Sequence, residues 1–371
     1  MHAVQLRKVD GRALTLYARQ PMAATDPVAP SPFSEPLRGH AHLRWHPLRG
    51  EWVTYAAHRQ DRTFLPPPEY DPLAATVAGA APTELPGGDW DVAVFDNRFP
   101  ALGGRDRPED RASDVAGLPQ LEVPTALAGG HCEVVVYTPD RLGSLGTLAL
   151  DHLELILSVW ADRTRRLAAR DDVAYVFPFE NRGAEVGATL SHPHGQIYAY
   201  PVVPPVPARI AEQSLASLAA HGRGALDLMV EAERRSGQRL VYDGPHAVAF
   251  VPVCARYPYE AWVAPIVPVA RFSDLDPAQR ADLARALKTV LMKYDGLWQR
   301  PMPYLMVWYQ APTDGLAHPE AHLHAQFYPS YRSRDRLKYL AGTEIGAGFF
   351  AMDVLPEDTA RELQAVPVSL D

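Results

Sequence analysis

The chain has 371 residues, of which 44 are acidic and 36 basic, giving a formal net charge of -8. This balance excludes a basic surface for nucleic acid, and no apolar run is long enough to cross a membrane. The first 20 residues scatter charges among modestly apolar ones and lack the hydrophobic region of a secretion signal. Because the two cysteines are far apart and offer neither a disulfide framework nor a CxxC metal site, a reducing cytoplasm is the expected compartment.

The first half of the chain alternates strand-like and loop-like stretches around one helix. Apolar residues at helical spacing predict a helix from about Asp151. Proline, glycine and alanine dominate the segments predicted to be loops, at 21–40 and 66–88, and 102–130 shows no sustained period. Strands are predicted at 52–55, 92–95, 132–137 and 173–179.

The second half repeats this order of elements. A strand is predicted at 261–264, a helix at 277–294 with Asp276 as its N-cap, and a further strand at 304–309. The segment 322–329 then aligns with 192–201, and both carry a His-x-His-x-Gln pattern. The sequence therefore predicts two related halves, 1–203 and 204–371, joined by a helical stretch at 207–236. The fold class is α+β, with a mainly antiparallel sheet flanked by helices.

The most informative stretch is the first of these two histidine segments. In an extended chain His192, His194, Gln196 and Tyr198 point to one face. Proline and glycine inside such a segment predict an edge strand or close approach of a ligand to the backbone. A pair of core histidines bonded to carbonyls is the alternative, but the strict alternation beside Gly195 favours a functional site.

Residue types in this segment favour phosphoryl chemistry. At pH 7 an ordinary imidazole is largely neutral, so His194 can attack phosphorus and form a nucleotidyl-histidine. The amide of Gln196 can donate to a phosphate oxygen but cannot supply a proton. Since a phosphate leaving group needs little protonation, the glutamine favours transfer over hydrolysis. Gly195 is expected to let a diphosphate approach the backbone.

The segment 192–196 resembles the HPHGQ signature of the galactose-1-phosphate uridylyltransferases, a branch of the histidine-triad superfamily built from two such halves. Other blocks resemble the family in the family's order: 58–62, 96–102, 179–183, 327–329 and 338–344. The resemblance extends over most of the chain.

The resemblance implies that His194 takes UMP from UDP-glucose and passes it to galactose 1-phosphate, with Gln196 holding the transferred phosphoryl group. It implies a homodimer whose sites draw residues from both chains. The other implied substrate-binding residues are Asn97 for the nucleoside, Asn181 and Thr189 for the phosphates, Arg59 and Arg62 for phosphate or sugar, His192, and Lys338 and Glu344 for the hexose phosphate.

Both metal sites of relatives look degraded in this sequence, so no metal cofactor is expected. Of the zinc ligands only His192 remains, because the CxxC place holds Asp71 and Ala74 and the later histidine is Arg141. An Asp71–Arg141 contact is a hypothetical replacement. The second metal of some relatives would fall on Glu212, Tyr309, His324 and Gln326.

Two other functions stay open at the level of sequence. One is a histidine-triad phosphorylase or hydrolase acting on dinucleoside polyphosphates or another nucleotide sugar. The other is a nucleotide-sugar binding protein without catalysis, against which the presence of His194 and Gln196 speaks.

Overall fold

The computed structural model describes residues 1–23, 26–36, 41–61, 66, 70–104 and 123–370. None of the helices in these ranges has the length and hydrophobicity to cross a membrane. The helices are α1 (Leu150–Ala168), α2 (Pro205–His221), α3 (Ala225–Ser236), α4 (Pro277–Leu297) and α5 (Pro356–Ala365). The strands are β1 (His2–Lys8), β2 (Ala13–Ala18), β3 (Val28–Ala29), β4 (His42–His46), β5 (Glu51–Tyr55), β6 (Val92–Asp96), β7 (Thr125–Leu127), β8 (His131–Val136), β9 (Tyr175–Arg182), β10 (His194–Tyr200), β11 (Leu240–Asp243), β12 (Ala247–Phe250), β13 (Ala261–Pro265), β14 (Tyr304–Tyr309), β15 (His324–Pro329), β16 (Tyr331–Ser333) and β17 (Arg336–Leu337).

Within these ranges, one large sheet has the strand order β11-β12-β13-β15-β14-β9-β10-β8-β6-β2-β1-β3. Every neighbouring pair in it is antiparallel except β1 and β3. The run β6-β8-β10-β9 matches the run β12-β13-β15-β14, and the two runs meet where β9 pairs with β14. This repetition confirms the predicted α+β fold with two related halves.

The two halves share one hydrophobic core. The ring centroids of Trp160 in α1 and Trp308 in β14 are 5.7 Å apart, and Phe272 packs against both rings. Trp160 and Trp308 are almost completely buried, and large aromatic side chains of this kind contribute strongly to core stability. The predicted boundary between residues 203 and 204 stays a prediction, since core packing continues from one half to the other.

Several elements differ from the sequence-based expectation. The first 18 residues contain an antiparallel hairpin, β1–β2, that extends the sheet beyond β6. Its buried residues Leu6, Leu14 and Leu16 follow the period of two that indicates a strand. The helical stretch at 207–236 is divided into α2 and α3, because the chain adopts a left-handed conformation at Gly222 (φ 70°).

Of the two alternatives for the histidine strand, the position at a sheet edge is wrong. β10 lies between β8 and β9 in the interior of the sheet and begins only at His194, after the proline. The reason for Gly195 also differs, since a Cβ there would collide with the Tyr137 hydroxyl group and the Phe179 carbonyl group. The glycine therefore accommodates the protein's own packing rather than a diphosphate.

Candidate active site

A cavity of about 340 Å³ opens against β6, β8 and β10. Its walls are partly apolar and partly polar, which is typical of small-molecule sites. The structure brings five of the predicted site residues to this cavity: Arg59, Asn97, Thr189, His194 and Gln196. The apolar and aromatic lining comes from Pro32, Phe33, Tyr70, Leu73, Phe95 and Phe99, among others.

The ring of His194 is held in one orientation and one tautomer. Its Nδ1 lies 2.7 Å from the carbonyl oxygen of His192. A carbonyl can only accept, so Nδ1 carries the proton and Nε2 carries the lone pair. Nε2 has no hydrogen-bond partner in the described part of the chain. Burial lowers the pKa of His194 below its usual value, although the bond to the carbonyl opposes this shift. The ring therefore presents an oriented Nε2 lone pair to the cavity, which is the arrangement that nucleophilic attack requires.

The amide of Gln196 is oriented through Asn97. The backbone N–H of Phe99 donates to Oδ1 of Asn97 over 2.8 Å, so the Asn97 amide group must point its Nδ2 the other way. That Nδ2 lies 3.3 Å from Oε1 of Gln196, to which it donates. Gln196 consequently keeps its Nε2 donors for a ligand in the cavity, where a phosphate oxygen would accept them.

A short helical turn at Ala57–Asp61 places Arg59 at the same cavity. Its guanidinium donates to the carbonyl of Phe99 over 2.7 Å and to the hydroxyl of Tyr198 over 3.3 Å. An oriented arginine is suited to a phosphate or sugar oxygen. Arg62, predicted to act with it, lies outside the described residues.

Four predicted substrate-binding residues do not line the cavity in one chain. Asn181 lies on β9, opposite Leu305 of β14. Nζ of Lys338 donates to Oε1 of Glu344 over 3.3 Å, and Glu344 also accepts from the backbone N–H of Ala341. His192 was expected on the same face as His194, but its ring is fully buried. His192 precedes the start of β10 and bonds to Asp71 and Thr138, and its role in substrate binding stays a prediction.

The second half carries a counterpart of His194 in which both ring nitrogens are hydrogen-bonded. His324 occupies the β15 position that His194 has on β10, and its Nδ1 also donates to a carbonyl, that of His322. Its Nε2, however, accepts from Nε2 of Gln326 over 3.1 Å. Burial lowers the pKa of His324 to about 4. With both ring nitrogens occupied, His324 can neither attack phosphorus nor bind a metal without breaking these bonds.

Several potential metal ligands in the described residues already have hydrogen-bond partners. Glu212 is exposed and Gln326 bonds to His324, and the expected absence of the second metal stays a prediction. Asp96, His131 and Glu133 place ligand atoms within 4.8 Å of one another. His131 bonds to Asp96, and both oxygens of Glu133 accept from Arg163, so this cluster is satisfied as an ion-pair network.

Comparison with known proteins agrees with this geometry. Residues 32–204 match the galactose-1-phosphate uridyl transferase N-terminal domain and residues 213–370 match the C-terminal domain of the same enzymes. The chain belongs to the galactose-1-phosphate uridylyltransferase family. It is similar to the galactose-1-phosphate uridylyltransferase of Thermotoga maritima, with 36% identity over 88% of this chain and 99% of that protein. The enzyme of Streptomyces lividans is 34% identical over 99% of this chain and 98% of its own length.

Solved structures show the same relationship. A uridylyltransferase structure has a TM-score of 0.77 and 33% identity, covering 88% of this chain and 98% of that one. An ADP-glucose phosphorylase from Arabidopsis thaliana, solved with bound ADP-glucose, has a TM-score of 0.64 and 26% identity over 89% and 99% of the two chains. The predicted family is thus confirmed.

Sequence reasoning missed some of the cavity wall. Pro32 and Phe33 were assigned to a loose leader, yet they line the cavity, where Arg98 lies 4.5 Å from the Phe33 ring centroid. Tyr70 and Leu73 were assigned to a featureless loop. No local sequence pattern marks these residues, because they reach the cavity only through the path of the backbone in the tertiary fold.

Proposed function

We propose that this protein is a galactose-1-phosphate uridylyltransferase that works through a uridylyl-His194 intermediate. The observation that supports this most directly is the free Nε2 of His194 on the wall of the 340 Å³ cavity, beside the oriented amide of Gln196. Family membership supplies the substrates: the relatives in Thermotoga maritima and Streptomyces lividans carry this activity in their names.

In the first step the lone pair on Nε2 attacks the α-phosphorus of UDP-glucose. The bond from that phosphorus to the bridging oxygen breaks, and glucose 1-phosphate leaves with the electron pair. In the second step a phosphate oxygen of galactose 1-phosphate attacks the same phosphorus, the phosphorus–nitrogen bond breaks, and UDP-galactose forms. Donors from Gln196, Arg59 and Thr189 would stabilise the charge on the phosphoryl oxygens in both steps.

The experiment that tests this function follows the products with competing acceptors. Purified protein is incubated with UDP-glucose and equal concentrations of galactose 1-phosphate and inorganic phosphate in water. We expect UDP-galactose and glucose 1-phosphate as the main products, in equal amounts. The ADP-glucose phosphorylase relative makes a parallel incubation with ADP-glucose and phosphate a matched control. Faster consumption of ADP-glucose with phosphate, or release of free UMP as the main product, would contradict the proposal.

We further propose a homodimer in which Lys338 and Glu344 complete the partner's site. In one chain these two residues do not line the His194 cavity. The segment that carries them exposes Tyr339, Ile345 and Phe349, whose exposed fractions are 77%, 66% and 74%. Contiguous exposed apolar side chains of this kind indicate a protein contact surface.

Subunit mixing tests the shared site. We expect His194→Ala and Lys338→Ala homodimers each to be nearly inactive, because each lacks one component of both sites. Each mixed dimer, formed by unfolding and refolding the two variants together, would hold one intact site out of two. Because roughly half of the dimers would be mixed, the whole preparation would regain about a quarter of wild-type activity. Lack of recovery in mixed dimers isolated through two different affinity tags, one on each variant, would place Lys338 in its own chain's site instead.

A cytoplasmic location belongs to the same proposal. Cys132 is buried and Cys254 exposed, and both are free thiols, as a reducing compartment would keep them.

A further inference from the structure

The buried ring of His192 is held by two acceptors. Nδ1 lies 2.7 Å from Oδ2 of Asp71, and Nε2 lies 2.8 Å from the carbonyl oxygen of Thr138. The His192 side chain is completely buried, and Asp71 is mostly so. Asp71 also accepts through Oδ1 from the backbone N–H of Leu73. Both polar ends of the ring are thus satisfied, and both belong to one hydrogen-bonded chain.

These contacts fix the position of the ring. The carbonyl of Thr138 can only accept, so Nε2 of His192 donates to it, while Nδ1 shares its hydrogen bond with the Asp71 carboxyl group. Burial raises the pKa of Asp71, but the bonds from His192 and Leu73 and the neighbouring His192 and Arg141 outweigh it and lower the pKa overall. The ring is therefore held between a carboxyl group and a carbonyl group, a contact that we call the Asp71–His192 ion pair. The hypothetical Asp71–Arg141 replacement was wrong in its partner: Asp71 bonds to His192, while Arg141 acts only through its charge.

This arrangement does not fit the zinc ion that relatives carry at the same place. Zinc needs the lone pair of a ring nitrogen, and both nitrogens of His192 are already hydrogen-bonded, to Asp71 and to Thr138. Ala74 has no ligand atom, and Arg141 carries a cation with no lone pair. Of the four positions, Asp71 alone would offer a further ligand atom for zinc, and its carboxylate already bonds to the ring of His192.

The second half provides an internal comparison. The ring of His322, which holds the place of His192 there, also bonds through Nε2 to a carbonyl, that of Pro265, over 2.8 Å. Its buried Nδ1 has no partner. Asp227 acts on His322 only through its charge, without a hydrogen bond. Among the described residues, a carboxylate hydrogen-bonded to the first histidine is thus found in the half whose second histidine has a free Nε2 facing the cavity.

The ion pair is directly connected to the nucleophile. The carbonyl oxygen of His192 accepts a hydrogen bond from Nδ1 of His194, so a shift of residue 192 would reorient the ring of His194. On the other side, the turn that begins at Asp71 places Leu73 in the cavity wall. We propose that the Asp71–His192 ion pair replaces the zinc ion of relatives and is the positioning element for His194, so that the enzyme holds its nucleophile without metal. The positioning part of this inference rests on the proposed function.

The first test concerns metal. We expect purified protein to contain less than about a tenth of a zinc ion per chain by mass spectrometry of the dissolved metal. Its melting temperature should be unchanged by EDTA and by added zinc chloride. A stoichiometric zinc content that EDTA removes, together with a fall in melting temperature, would overturn the replacement. This readout does not depend on catalysis, so it decides the point even if the proposed function fails.

The second test uses Asp71→Asn, which keeps the shape of the side chain but removes its charge. We expect a lower melting temperature and, at 25 °C where the variant stays folded, a 10- to 100-fold lower rate of His194 uridylylation with less than a threefold change in KM for UDP-glucose. Asp314→Asn is the matched control, because Asp314 bonds to His318 over 2.8 Å in an exposed Asp–His pair away from the cavity.

The outcomes separate the two roles. An Asp71→Asn variant with lowered stability but wild-type uridylylation would overturn the positioning role, and one unchanged in both would overturn the ion pair altogether. If the wild-type protein transfers no UMP, the proposed function fails, and the melting comparison alone still tests the ion pair.

Discussion

His194→Ala is expected to abolish UMP transfer, lowering kcat more than about 10⁴-fold, because the covalent route is lost with its nucleophile. Mass spectrometry after incubation with UDP-glucose alone should show a UMP adduct on His194 in the wild-type protein and none in the variant. Since burial lowers the pKa of His194, the ring stays neutral as the pH falls through 6.5. The rate of adduct formation should therefore be flat from pH 8 down to pH 6.5 and fall only at lower pH.

His324→Ala is the matched control for this prediction. His324 has the equivalent position in the second half, but its Nε2 is occupied by Gln326. We expect this variant to be less stable, since a buried ring and its hydrogen bonds are removed, yet to form the adduct at close to the wild-type rate at a temperature where it is folded. An adduct that survives in His194→Ala, or disappears in His324→Ala, would show that the nucleophile has been assigned to the wrong half.

Gln196→Ala is expected to lower kcat by about 10²- to 10³-fold, the usual cost of removing one donor to a developing phosphoryl or acyl oxyanion. KM for UDP-glucose should change less, because the donor acts most strongly on the transition state. Single-turnover measurement of adduct formation isolates this step from product release.

Asn97 provides a sharper version of the same prediction. Asn97→Ala should cost less than Gln196→Ala, because it only frees the amide of Gln196 to rotate. Asn97→Asp should cost more than Asn97→Ala: its carboxylate cannot donate, so the Gln196 amide would turn its nitrogen toward residue 97 and its oxygen toward the phosphate. Equal rates for the alanine and aspartate variants would show that Asn97 does not orient Gln196.

The repeated elements of the fold were predictable because they depend on local pattern. The helix predicted from about Asp151 and the helix at 277–294 correspond to α1 and α4, and the strands at 132–137 and 304–309 correspond to β8 and β14 within one or two residues at most ends. Each carries a hydrophobic period that its own sequence repeats. The hairpin β1–β2 has the same kind of period and could have been predicted. Its charged residues, Arg7, Lys8, Asp10 and Arg12, lower the mean hydropathy of the segment and make the period of its leucines less evident.

The chemistry of the site was predictable only at the level of residue type. Two histidines and a glutamine at alternate positions indicated nucleophilic attack on phosphorus, and the same pattern occurs in both halves. The spacing of the two patterns is the same, and only Pro193, Gly195 and the resemblance to the HPHGQ signature single out His194 in the sequence. In the structure the two rings differ because Nε2 of Gln326 donates to its own histidine, His324. The amide of Gln196 instead accepts from Asn97, a residue 99 positions away in the chain.

Sequence by itself determined the family and the duplicated α+β architecture and indicated the residue types that we propose to react, since these depend on residue types and spacings along the chain. Tertiary structure alone decided which imidazole is free, which way the amide of Gln196 points, and that Asp71 meets His192. Each of these depends on hydrogen bonds between segments far apart in the chain, whose partners are chosen by the packing of the sheet and not by local propensity.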